Sequence, residues 1–155
     1  MPFLATKYFG LMEYDTSATV DFPFGIPAFE NERQFLLIEQ ASMAPLLFLQ
    51  SLTHADLCFL TLPVLNLEPS YQLEILHDDI RALGLDDSRQ PRIGDEILCL
   101  ALIAAAENCP ATANLWAPLV INRAARKGLQ AIRPDSVYSP RHGVEPRPQG
   151  SEPCL

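Results

Sequence analysis

The sequence predicts a mainly β protein: a small antiparallel β-barrel-like single domain with one or two short helices. Three observations lead there. Short apolar runs of strand length recur along the chain, a single brief helix signal stands at Asp78–Gly84, and 14 prolines cut the chain into short elements. With 155 residues, 48% hydrophobic and 19% charged, the chain can bury one core without metals or disulfides. No internal repeat and no second domain is visible.

Taken in order, Lys7 to Tyr14 alternates loosely, with Tyr8, Met12 and Tyr14 on one side and Lys7 and Glu13 on the other, as a half-buried first strand does. Thr19-Val-Asp-Phe22 repeats the pattern. Pro23-Phe-Gly-Ile-Pro27 then interrupts it, since two prolines cannot donate to a ladder and Gly25 permits a backbone that other residues resist. The expected result is a shaped loop presenting Phe24, Ile26 and Phe29. Phe35–Glu39, Leu46–Leu52 and Leu57–Leu62 read as strands, the last closed by Pro63, and Tyr71–Leu76 as a further strand after the turn at Glu68-Pro-Ser70.

Asp78 is the expected N-cap of the short helix, with acid in its first turn and Gly84 just beyond its end. Ile97–Ala104 suits a buried helix by leucine and alanine propensity. The surrounding strands and the stop at Asn108-Cys-Pro110 favour a central strand instead. The longest alternating stretch is Thr112–Asn122. It runs through Arg123-Ala-Ala-Arg-Lys-Gly128 into Leu129–Ile132, which reads as a β-hairpin. Ala113, Leu115, Ala117, Leu119 and Ile121 are expected on one face and Asn114, Trp116, Pro118, Val120 and Asn122 on the other, with Pro118 marking an edge or a bulge. Beyond Ile132 prolines multiply and apolar residues thin out. The domain is therefore placed at residues 1–140, and residues 141–155 are expected to form a Pro-rich mobile tail.

A net charge of -8 and a pI near 4.7 argue against nucleic-acid binding by the whole surface, which needs clustered Lys and Arg. Solubility, or a basic protein partner, suits such a surface better. Arg123, Arg126, Lys127, Arg133, Arg141, His142 and Arg147 make the C-terminal third locally basic, but with only Tyr138 interleaved they read as a solvated hairpin tip. The longest apolar run, Ile97–Ala106, falls short of the roughly 18 residues of a membrane span, and Met1–Lys7 shows no signal-peptide pattern. A cytoplasmic protein without a membrane segment is expected.

Catalytic and metal signatures are weak. Cys58, Cys99, Cys109 and Cys154 form no C-x-x-C pair, and core packing or loop placement explains Cys58, Cys99 and Cys109 better than nucleophilic chemistry. His77-Asp78-Asp79 is the densest ligand set, yet neighbouring side chains diverge and no second cluster completes a site. His54-Ala-Asp56 shares a face but lacks a nucleophile. There is no G-x-S-x-G, G-x-G-x-x-G or P-loop. No enzyme, metal or cofactor is expected.

The ordered set Phe24-Gly-Ile-Pro-Ala-Phe-Glu30, Pro45, Leu49-Gln-Ser51, Thr112-Ala-Asn-Leu-Trp-Ala-Pro-Leu-Val-Ile-Asn122, Gly128-Leu-Gln130 and Tyr138-Ser-Pro-Arg-His142 closely resembles the FliW flagellar assembly factors. The likeness runs from about Thr6 to His142. It implies a small cytoplasmic β-barrel-like protein without catalysis that binds flagellin and the translational regulator CsrA. In that family FliW relieves CsrA repression of flagellin mRNA, and newly made flagellin competes for FliW. Charge alone nominates Glu30, Asp56, Glu68, Glu74, Asp78 and Asp79 as partner contacts. The apolar loop adds Phe24, Ile26 and Phe29, while Asn114, Trp116 and Asn122 form a partner-facing row or polar barrel-wall positions. Two other readings remain testable: a small-ligand-binding β-barrel, which needs a polar-lined internal cavity, and a hydrolase using His54 and Asp56, which needs a nucleophile within reach of the imidazole.

Overall fold

A computed structural model describes residues 1–144. The chain opens with a two-stranded hairpin, β1 (Phe3–Thr6) and β2 (Gly10–Glu13), paired from Phe3↔Glu13 to Thr6↔Gly10. The single strand expected over Lys7–Tyr14 is therefore corrected, because its first residues are the turn. Thr6 Oγ1 donates to Gly10 O at 2.8 Å and accepts from Phe9 N at 2.9 Å, which fixes that turn locally.

β3 (Thr19–Asp21), β4 (Gln34–Glu39), β5 (Leu47–Ser51) and β6 (Cys58–Pro63) follow as expected, and a one-turn helix α1 (Val64–Leu67) continues directly from Pro63. Helix α2 (His77–Ala82) precedes β7 (Leu98–Ala104), β8 (Thr112–Asn122), β9 (Lys127–Gln130) and a two-residue β10 (His142–Gly143). Successive strands from β3 to β8 pair antiparallel. β9 returns to β8 and meets β3 in parallel at Asp21↔Lys127, which closes a ring of β3 to β9 with β10 laid against β8. Closure leaves no free edge within the ring.

Two apolar layers stabilise it. Val20, Phe35, Leu37, Leu47, Leu49, Leu100, Leu119 and Ile121 come from strands on all sides of the ring and meet, with Phe22 and Ile26, in its interior. On the outside of β7, β8 and β9, Val64, Tyr71, Ile75, Ile80 and Leu83 cover Cys99, Leu115, Val120 and Leu129. Each buried Leu or Ile contributes about 1.5–3 kcal/mol of transfer free energy. Burial also pushes the Cys99 thiol up to about 12 and the Cys58 thiol up to about 11, so both behave as small hydrophobes. Both are free thiols.

Three further expectations need correction. Tyr71–Leu76 is irregular rather than a strand. Its backbone is tied by side chains instead of a ladder: Gln72 N donates to Tyr138 Oη at 2.8 Å, and Ile75 N and O pair with the Gln90 amide at 2.7 and 2.9 Å. Asp78 is not the N-cap of α2, which starts at His77 after Leu76 with no side-chain cap. Asp78 and Asp79 both sit inside the first turn, where the charge of the exposed Asp78 complements the helix dipole and that of Asp79 is offset by burial. The single-face reading of β8 also fails. Leu100 pairs with Leu119 and Leu102 with Asn114, so Leu115 to Pro118 bulge opposite Ala101 alone. The side-chain alternation slips across the bulge: Ala113 and Leu115 join the outer layer, as does Val120, whereas Leu119 and Ile121 point into the ring.

The paired backbone of His142–Gly143 and the bond from Val144 N to Ala111 O at 3.2 Å carry the sheet past the boundary expected at Arg141. The rest of the expected tail, 145–155, lies outside the described residues.

Candidate functional site

The segment that leaves β9 runs between two surface grooves. Gln130 and Ile132 line one, Ala131 and Arg133 the other. The first groove, about 180 Å³, is completed by Phe24, Pro27 and Glu30 from the loop after β3 and by Asp79 from α2. That loop is a run of tight turns closed by Gly25 N to Phe22 O at 2.8 Å, Phe29 N to Ile26 O at 2.6 Å and Glu32 N to Phe29 O at 2.9 Å. Gly25 makes it possible: at φ 67° it is left-handed, and a Cβ there would stand 2.5 Å from the Glu30 backbone. The turns expose Phe24 (61% accessible) and bury Ile26 (2%). The expectation that Ile26 is presented to a partner is thus corrected, since it fills the barrel interior. Phe29 is half-covered by an edge-to-face contact with Phe59 at 5.3 Å.

Electrostatically the first groove is one-sided. Burial, and then the adjacent charge of Asp78, push the Asp79 carboxyl above its usual range. No hydrogen bond or ion pair reaches that carboxylate among the described residues. Among the described residues Glu30 Oε1 accepts only from Ala28 N, at 3.2 Å. The nearby cation of α2, Arg81, is bound to Asp78 and, at 3.0 Å, to Asp87.

The second groove, about 250 Å³, brings together Glu74, Trp116, Pro118, Asp135 and the fully open Val137 (91% accessible) over the stacked rings of Tyr71 and Tyr138. Arg133 is held there by Glu74 at 2.6 Å and Asp135 at 2.9 Å, so its charge is already spent. Neither Ile132, Val137 nor Asp135 was singled out from sequence. The alternation Gln130-Ala-Ile-Arg133 at the end of the expected strand was the available signal.

The remaining candidates are dispersed. Glu68 is occupied by Ser70, whose hydroxyl donates at 2.6 Å and, with its N–H, holds the carboxyl below the usual range. Asp56 lies exposed in the turn between β5 and β6 and lines neither groove. Asn114 and Asn122 do not form a partner-facing row. Asn114 Oδ1 accepts from Trp116 N at 3.1 Å and Ala117 N at 3.0 Å, capping the β8 bulge. Asn122 is 5% accessible and its amide donates to Leu83 O at 2.8 Å, locking the hairpin to the end of α2. These two are barrel-wall positions, and only Trp116 of the three reaches a groove.

The His54–Asp56 pairing on which the hydrolase reading depended does not form. His54 pairs with Glu32, not with Asp56. Ser51 and Thr53 both donate to Glu32 Oε2, at 2.8 and 2.7 Å, and although Thr53 Oγ1 stands 3.4 Å from His54 Nδ1, its proton is spent on the carboxylate rather than on the imidazole. Thr53 foremost, then Ser51 and His54, hold the Glu32 carboxyl below its usual range against the opposing effect of burial. This network joins the loop after β3 to the β5–β6 turn, and residues 19 and 21 apart in sequence leave no linear motif for it. The small-ligand reading needed a polar internal cavity, whereas the ring interior is filled by Leu, Ile, Phe and Val. Among the described residues no group of His, Cys, Asp and Glu is arranged to hold a metal ion, and no helix is long and apolar enough to cross a membrane.

The class defined by these features is a small closed β-barrel with a packed interior and two acid-lined grooves on its outer surface. Comparison with known proteins places it more closely. The FliW protein family model matches residues 4–144. The flagellar assembly factor FliW of Syntrophomonas wolfei is 33% identical over 96% of this chain and 92% of its own length. That of Anoxybacillus flavithermus is 34% identical over 92% and 94%. A crystal structure of the flagellar assembly factor FliW superposes with a TM-score of 0.81 at 29% identity, covering 94% of this chain and 99% of that one. The chain belongs to the FliW family.

Proposed function

We propose that this protein is a cytoplasmic, non-enzymatic flagellar assembly factor that binds the translational regulator CsrA, relieves repression of flagellin translation, and also binds flagellin. Family membership supports the flagellar role. The observation that carries the binding reading is the pair of acid-lined grooves beside β9, in which exposed apolar side chains sit next to carboxylates. An RNA-binding protein neutralises phosphates with Lys and Arg, so its surface is complementary to a chain of net charge -8. Flagellin bound to the same protein would compete with the regulator and tie translation to flagellin export. Mixing the purified chain with CsrA, and separately with flagellin, and following each by size-exclusion chromatography tests the reading. Co-elution with both is expected; separate elution from both at tens of micromolar contradicts it.

A further inference from the structure

The first groove has two properties that together specify what fills it. Its walls are apolar: Phe24 and Ile132 are both substantially exposed there. Its rim is anionic and lacks a counter-ion, because Asp79 has no partner among the described residues and Glu30 is bound only by a backbone N–H. The arginines that might have served, Arg81 and Arg133, are each committed to two other carboxylates. An anion is repelled by such a rim. A purely apolar side chain would desolvate Asp79 and give it nothing in exchange, which costs free energy. A long cationic side chain satisfies both demands, laying its methylenes on the apolar walls and its charge at the carboxylates. Phe24 adds a ring face to which a cation is attracted.

We propose that the groove between the Phe24–Glu30 loop and α2 receives a lysine or arginine side chain of the RNA-binding partner, its stem on Phe24 and Ile132 and its charge between Glu30 and Asp79. The proposal rests on the reading that this protein binds such a partner, and it assigns that partner, rather than flagellin, to this groove. Asp79 then behaves as a binding residue that the free fold tolerates at a cost: its carboxylate makes no hydrogen bond or ion pair among the described residues, and burial raises its carboxyl.

Calorimetric titration of the full chain with purified CsrA and with purified flagellin, at low and high salt, tests it through Asp79→Asn and Phe24→Ala. Asp79→Asn is expected to weaken CsrA binding about tenfold at low salt and to flatten its salt dependence. Phe24→Ala is expected to weaken it by about the same factor. Flagellin binding should stay within about twofold for both variants. The thermal midpoint of Asp79→Asn should lie at or above that of the unsubstituted chain, as loss of an unpartnered, half-buried charge requires. The proposal is overturned if both variants bind CsrA as the unsubstituted chain does, or if they lose flagellin and keep CsrA. Should the unsubstituted chain bind neither protein, the functional reading itself fails, which is a separate result.

Discussion

Asn122 spends its amide on the Leu83 carbonyl and Asn114 spends its carbonyl on two backbone N–H groups, so each is a support for the backbone around it. Asn122→Ala would leave a buried carbonyl without its donor, and a loss of about 1–3 kcal/mol is expected, read from the urea midpoint with an unchanged slope. Asn114→Ala should cost about 1 kcal/mol by uncapping the bulge. The acids behave in opposite senses with pH. Glu32 titrates lower in the folded chain than in the unfolded one, so its stabilisation is present above the unfolded value and disappears as pH falls through the folded value. Asp79 titrates higher when folded, so it penalises the fold near neutrality and the penalty is relieved on acidification. Urea midpoints from pH 7 down to about 3 should show Glu32→Gln less stable than the unsubstituted chain at neutrality, with the gap closing in acid. Asp79→Asn should be equal or more stable at neutrality, and that difference too should fade in acid. Nothing in the sequence near Glu32 announces its partners, because Ser51, Thr53 and His54 reach it only once the turns have formed.

At the scale of elements, the strands with clean apolar runs were legible: β3, β4, β5, β6, β7 and β8 stand where period and punctuation put them, and β9 completes the hairpin two residues earlier than expected, with Lys127 and Gly128 paired rather than in the turn. What was not legible follows one physical rule. Periodicity reports burial, and burial does not require a ladder. Tyr71 and Ile75 are buried like strand residues, yet side chains of Tyr138 and Gln90 satisfy the backbone there. Within β8, Pro118 signalled an edge or a bulge, but the face reversal depends on how many residues the partner strand supplies opposite it. The loop after β3 was read correctly as shaped by Gly25, and incorrectly as offering Ile26, since the direction of a tight turn's side chains is set by contacts on both sides. Gly25→Ala is expected to lower stability by at least about 1–2 kcal/mol from left-handed strain alone, with backbone overlap at Glu30 adding to it. Thermal unfolding measures that. Because the same loop carries Phe24 and Glu30, CsrA binding by the folded variant should weaken as well.

For the whole molecule, the closed ring of β3 to β9 packs its interior with aliphatic and aromatic side chains and leaves the chemistry to the outside. Composition pointed in the same direction, since an acidic, weakly charged, apolar-rich chain is suited to folding and to meeting a basic partner. It could not say where. The grooves form from residues of the Phe24 loop, α2, β8 and the segment after β9, which are brought together by ring closure and by the outer layer of helices. Charge selected six acids, of which Glu30, Glu74 and Asp79 line a groove while Asp56 lines neither. The central claim is that this surface takes an RNA-binding repressor away from its message. The most direct measurement is a gel-shift titration in which CsrA is pre-bound to the leader of flagellin mRNA and this protein is added in increasing amounts. The account predicts release of free RNA as the protein approaches the CsrA concentration, with rebinding when flagellin is then supplied. RNA that stays bound to CsrA under an excess of this protein would contradict it.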